Sequence, residues 1–453
     1  MALSQSGLTE GSVAKKMLLF ALPILVGNIF QRLYNSFDSW VVGAYLGDNA
    51  LAAVSSSASL INLMIGFFNG VALGAGAVIS RHYGARDYTA VRKSIHTTVA
   101  LGLVAGLVLT VLGVCLTPLI LRWMQTPPDV LPESISYFRY YFCGALFIVT
   151  YNFFVGIFHA VGDSRHPLYY LIISSVVNVI LDLLFVGVLR FGVGSAAIAT
   201  TISQGLSALL CFVQLVRTKE VYSLRVREIR FHKIYLTQLL HIGIPSGIQN
   251  SVISLANVFV QSNINSFGKF AVAGCGAYSK LEGFVFLPIE CFTHALATFV
   301  GQNLGAQKLD RVKKGVRFGM ICGVSIAELI GITCYIFARP LLSIFSNTPE
   351  VLSFGIRHMR TICLFYCLLS FTHCTTSVLR GAGISVKPML VSLGCWCVFR
   401  VAYISVAVRI VNELTTISWA YPITWTLSSC ILLVSLLRGD YLRVPTKIKV
   451  KET

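Results

Sequence analysis

The sequence predicts an all-α membrane protein, with twelve transmembrane helices arranged as two parallel six-helix repeats. Three observations carry this expectation. Hydrophobic residues make up 55% of the 453-residue chain and charged residues 12%, about half the charge of a soluble domain. Apolar runs of the ~20 residues a spanning helix requires recur from one end to the other. The second half also repeats the first about 221 residues later. Pro23 aligns with Pro245 and Asn35 with Asn257; one deletion later, Gly47 meets Gly268. SRHYGARDYTAVRK (80–93) overlays GQNLGAQKLDRVKK (301–314), and HAVGDSRHP (159–167) overlays RGAGISVKP (380–388). Gly162 then falls on Gly383 and Pro167 on Pro388. Three separated matches in nearly one register mark a duplication.

The first span, 17–44, is too long for a signal-peptide core, contains Asp38 and lacks a small-residue cleavage site. The second, 50–80, carries Gly66, Gly70, Gly74 and Gly76, which suit bending or close helix packing. Spans at 94–121, 135–160, 168–189 and 194–216 complete an N-lobe over 1–216. A linker at 217–237 follows, opening with the polar stretch RTKEVYSLRVREIRFHK, whose apolar residues are too sparse for a domain. The C-lobe, 238–437, holds spans at 238–264, 271–300, 318–338, 356–379, 389–411 and 416–437; residues 438–453 form a short tail. Runs longer than the minimum imply tilt, kinking or protrusion. Six spans per repeat make the repeats parallel, related by an axis along the membrane normal.

The net charge of +18 invites a nucleic-acid reading, which its distribution excludes. Basic residues collect on alternate loops, 25 of the 36 Lys and Arg lying on one side. That is the positive-inside pattern, so both termini are expected in the cytoplasm of a multi-pass plasma (inner) membrane protein. The 13 cysteines lie scattered in apolar segments without paired CxxC spacing, as small buried residues do. No phosphate-binding GxxxxGK[ST], HExxH or zinc spacing is present, so no enzyme and no cofactor are expected.

A carboxylate inside the bilayer is costly and marks an ion or substrate path. Gln31, Asn35 and Asp38 lie at i, i+4 and i+7 on the first span; Asn178 and Asp182 share a face of the fifth, and Thr200 and Gln204 a face of the sixth. Two carboxylates, an amide and a hydroxyl supply hard oxygens suited to Na⁺ or to a shared proton. The alternative for each is a separately satisfied hydrogen bond between helices.

The chain resembles the multidrug and toxic compound extrusion (MATE) family over essentially its whole length. The resemblance rests on LYNSFDSWVVGAYLGDNALAAV (33–54), RHYGARD (81–87), NVILDLLFV (178–186), AAIAT (196–200) and TFVGQNLGA (298–306). It implies two six-helix bundles around a V-shaped central cleft. It also implies export of organic cations and amphipathic compounds by Na⁺ or H⁺ antiport with alternating access. Residue by residue, the family's cation or proton site falls on Asp38, Asn178, Asp182 and Thr200. The C-lobe departs from members that carry an acid in the seventh span: Val260 and Tyr403 stand where Asp38 and Asp182 would repeat. Gln31, Asn35, Gln204, Asn250, Asn257, Glu282 and Glu290 are candidates for the substrate cleft. Glu282 and Glu290 either meet cationic substrate or pair with Lys280 or Arg400. The expected partners are a small amphipathic or cationic molecule and the lipid bilayer; a monomer is expected. The rival readings are a lipid-linked oligosaccharide flippase or metabolite exporter of the same superfamily, and a membrane-embedded enzyme or receptor.

Overall fold

The computed structural model of the protein describes residues 7–123 and 130–443. The last ten residues of the expected tail, and residues 124–129 of the loop after the third span, lie outside the described residues. No strand occurs among the described residues. The first repeat contains α1 (Val13–Leu46), α2 (Asp48–Gly84), α3 (Tyr88–Trp123), α4 (Leu131–Cys143), α5 (Ala145–Ala160), α6 (Arg165–Asp182) and α7 (Gly194–Arg217). The second contains α8 (Lys233–Asn265), α9 (Lys269–Val285), α10 (Leu287–Gly305), α11 (Leu309–Ile336), α12 (Ala338–Ser343), α13 (Pro349–Cys363) and α14 (Tyr366–Gly381). It ends with α15 (Val386–Ser392), α16 (Arg400–Ile410) and α17 (Leu414–Leu437).

Among the described residues nine helices are long and apolar enough to cross a membrane, by length and composition. The pairs α4–α5 and α13–α14, bent by 47° and 52°, raise this to eleven if each is one span. The 33-residue α8 is the remaining long helix, consistent with twelve. The bend of the second pair is stitched by a neighbour: the Glu328 carboxylate of α11 accepts the Cys367 amide at 3.1 Å, one of the donors a helix start leaves unpaired.

Backbone conformation carries the duplication independently of side chains. Gly47 and Gly268 have φ of 88° and 86°, and Gly162 and Gly383 have 89° and 88°. Arg86 and Gln307, also partners in the overlay, have φ of 57° and 58°, a region non-glycine residues enter rarely. The repeats differ in their π-helical turns, Leu183–Val188 after α6 and Leu393–Phe399 before α16.

The chain divides into two compact units, one spanning Leu22–Gly247 and the other comprising residues up to Ala21 together with Ile248 onward. Both boundaries fall beside a proline inside a helix, Pro23 in α1 and Pro245 in α8, where an intrahelical hydrogen bond is missing. The core of the first unit gathers Val41 and Val42 of α1, Phe138 and Phe142 of α4, Val186 and Ala196. The second unit has its own core around Val260, Ile264, Cys275, Ile404 and Ile417.

Candidate functional site

The first unit brings together the polar face of α1 and that of α6. Asp38, Asn178 and Asp182 are all buried, Asp182 with 0% exposure. Oδ1 of Asp38, both carboxylate oxygens of Asp182 and both amide atoms of Asn178 have no hydrogen-bond partner in the structure. The Asp38 carboxylate lies close enough to Asp182 to act on it electrostatically. No basic side chain stands within ion-pair distance of either acid among the described residues. A buried polar atom left unpaired costs on the order of 1–3 kcal/mol, more when charged. Three such side chains together make a set of oxygen ligands of the kind that takes a proton or a hard cation.

Local structure explains the placement. Asp182 ends the regular part of α6, and a π-helical turn follows at once; such turns recur at functional sites because they re-aim side chains. Gln204 of α7 donates to the Tyr34 hydroxyl at 3.0 Å, and Gln31 also hydrogen-bonds that hydroxyl. Tyr34 is one turn from Asp38, so both glutamines meet on an anchor that fixes α1 against α7. Thr200 is half-buried one turn before Gln204 on α7, and Asn35 is exposed on α1.

Sequence reasoning missed the tyrosines. Tyr34 and Tyr137, both buried, and Tyr141 lie within electrostatic range of Asp38. Tyr137 and Tyr141 stack along α4, with ring centroids 6.1 Å apart. The available signal was the i, i+4 spacing within SYFRYYF, which in an apolar segment reads as core.

The second unit is built differently. Val260 is buried in the apolar cluster and Tyr403 packs against it, so the positions equivalent to the two acids are not a carboxylate site. Its charged centre is Arg400, whose Nη2 donates to Thr424 Oγ1 at 2.9 Å and Nη1 to Asn257 Oδ1 at 3.4 Å. The guanidinium also sits 4.6 Å from the Tyr421 ring centroid, a cation–π contact. Glu282, half-buried, accepts from the Tyr278 hydroxyl at 2.9 Å, which in turn meets the Tyr366 hydroxyl at 2.9 Å. Among the described residues Glu282 forms no ion pair with Lys280 or Arg400. Glu290 lies half-buried in the first turn of α10, and Asn250 half-buried on α8.

The comparisons with known proteins agree with the duplicated helical fold. The MatE family model matches twice, over residues 23–184 and 245–405, once per repeat. The chain is 31% identical over 392 residues to the probable multidrug resistance protein YoeA of Bacillus subtilis, covering 85% of each. It is 29% identical over 392 residues to the probable multidrug resistance protein YpnP of the same organism, covering 86% of this chain and 88% of the relative. A solved outward-facing multidrug resistance MATE transporter of the MOP superfamily superposes with a TM-score of 0.91 at 22% identity, over 98% of this chain and 99% of that one. The chain belongs to the multidrug and toxic compound extrusion family of membrane transporters.

Proposed function

We propose that the protein is a secondary active exporter that couples outward movement of organic cations or amphipathic compounds to inward movement of Na⁺ or H⁺ at Asp38, Asn178, Asp182 and Thr200. One observation carries the reading: two buried carboxyls on α1 and α6, near enough to act on each other electrostatically, with unpaired oxygens and no basic partner among the described residues. Burying an uncompensated charge costs several kcal/mol, so the pair holds a proton or a cation when the transporter is stable. A ligand drives a conformational change only through its different affinity for the two states. A cation joining α1 to α6 favours the state in which these helices are packed together. Substrate favours the other, and exchange follows by linkage.

In this reading the termini face the cytoplasm and the functional lobes are 1–216 and 238–437, joined by 217–237. Asn35, Asn250, Asn257, Glu282 and Glu290 are assigned to substrate selection. Gln31 and Gln204 are assigned to positioning Tyr34 beside Asp38, in accord with their bonds to that hydroxyl. The test is Asp38→Asn in reconstituted vesicles, monitoring dye release under separately imposed Na⁺ and pH gradients. A folded, inserted variant that has lost gradient-driven export supports the assignment; wild-type coupling refutes it.

A further inference from the structure

The unit Leu22–Gly247 contains a cavity that ion coupling does not use. It lies between the first turns of α3 and the segment leading into α8, has a volume of about 470 Å³, and is bordered by Arg92, Lys93, His96, Glu228, Arg230 and His232. The segment is firmly attached. Leu224 is buried and its amide donates to the Leu215 carbonyl at 2.8 Å. The Arg225 amide donates to His96 Nε2 at 3.1 Å, and the His232 amide to Thr97 Oγ1 at 3.2 Å. Nδ1 of His96 lies 2.6 Å from the Arg92 carbonyl, and Nε2 is 3.1 Å from both the amide and the carbonyl of Arg225, so the ring ties α3 to the segment.

The cavity carries more positive charge than its own acid balances. Arg92 pairs with Glu228 at 2.5 Å. Lys93 and Arg230 have no carboxylate within ion-pair distance among the described residues, and Arg230 Nε meets His232 Nε2 at 3.3 Å. Asp87, close in sequence, is occupied in capping α3, accepting the Ala90 amide at 3.0 Å. Around the cavity Tyr88, Val226, Phe231 and Ile234 are exposed. The candidate span Tyr88–Arg122 begins at its edge, which sets the cavity at a membrane–water boundary. Exposed apolar side chains interleaved with cations are the composition of a surface that meets lipid, where cations attract acidic headgroups.

We infer that this cavity binds the phosphate of an anionic phospholipid headgroup. The Lys93 ammonium and the Arg230 guanidinium are its cationic ligands, at the water end of α3, whose apolar residues follow Lys93. Arg92 and Glu228, already paired, hold the segment in place. An occupied site would tie the connection between the two repeats to the membrane surface.

The experiment is native mass spectrometry of the full-length protein in detergent, with phosphatidylglycerol or phosphatidylcholine added. Wild type, Lys93→Gln/Arg230→Gln and a control in the second repeat, Lys313→Gln/Lys314→Gln at the partners of Arg92 and Lys93, are compared. Wild type and control should hold one phosphatidylglycerol in preference to phosphatidylcholine. The double variant should bind it roughly 30-fold more weakly, and Arg230→Gln alone roughly fivefold. Arg230 is exposed, so the single variant keeps the test open if the double variant folds poorly. Undiminished binding by both variants, equal loss in the control, or equal retention of phosphatidylcholine overturns the site. Displacement of the lipid by excess inorganic phosphate overturns the lipid assignment in favour of a soluble phosphate.

Discussion

Replacing Gly74 by alanine should destabilise the first unit through a single atom. Gly70 and Gly74 of α2 face Gly243 and Gly247 of α8, a four-residue spacing on both helices that allows backbones to approach closely. A Cβ at Gly74 would stand 2.5 Å from the Cα and N of Gly243, and one at Gly70 would stand 2.5 Å from the Gly247 N. Ordinary contacts begin near 3.4 Å, so the helices must separate by about 1 Å, and the obstacle is backbone rather than a movable side chain. Overpacking of this kind costs about 1–3 kcal/mol. For a unit of this size each kcal/mol lowers the melting temperature by ~2–4 °C. Two further variants grade the effect. A Cβ at Gly76 would meet the Gly156 carbonyl oxygen at 3.2 Å and should cost less than Gly74→Ala. A Cβ at Gly276 in α9 would meet nothing within 4 Å and should gain about 0.5–1 kcal/mol from helix propensity. The assay is thermal unfolding of the purified protein in detergent, followed by size-exclusion elution. A Gly74→Ala variant as stable as wild type, or a Gly276→Ala variant as damaged as Gly74→Ala, would refute the close-approach argument.

Glu328→Leu should cost about 1–3 kcal/mol by leaving the Cys367 amide unpaired, whereas Glu328→Gln keeps an acceptor and should melt near wild type. Arg311 donates to the Leu8 carbonyl at 3.2 and 3.1 Å, to Gly11 at 2.6 Å and to Glu10 at 3.0 Å. Arg311→Ala should therefore raise hydrogen exchange across residues 8–11 at least tenfold, the loss of about one net charged hydrogen bond. Beyond the last span, hydrogen bonds from Lys387 (2.5 Å) and Ser435 (2.6 Å) hold the Asp440 carboxyl below the ordinary aspartate range. The stability this gives is present above about pH 4 and is lost as pH falls through the lowered value. Exchange near residue 440 should accordingly differ between wild type and Lys387→Gln at neutral pH and converge in strong acid.

The duplication was legible because its markers sit where backbone geometry restricts residue choice. Gly47, Gly162 and their partners occupy positive φ, which glycine adopts without strain. Asp38, Asn178 and Asp182 were legible because acids and amides at helical spacing stand out against apolar neighbours. Their tyrosine surroundings were not, since a tyrosine in an apolar helix has the same pattern whether it packs or faces a carboxylate. Glu282 shows another gap. Sequence offered Lys280 and Arg400 as partners, while the bond found is to Tyr278, one turn away on the same helix, a neutral donor that charge matching does not suggest. The π-helical turn after Asp182 and the allotment of the first turns of α1 and the first half of α8 to the two units were also hidden. Both depend on tertiary packing, which the local sequence of these helices does not encode.

The account rests on coupling residing in the first repeat, and ion-dependent dye release from vesicles tests it most directly. Asp38→Asn and Asp182→Asn should lose the response to both Na⁺ and pH gradients. Asn250→Ala and Asn257→Ala should keep that response while changing which dyes are exported. Retained coupling in both aspartate variants, with coupling lost in the asparagine variants, would contradict the account.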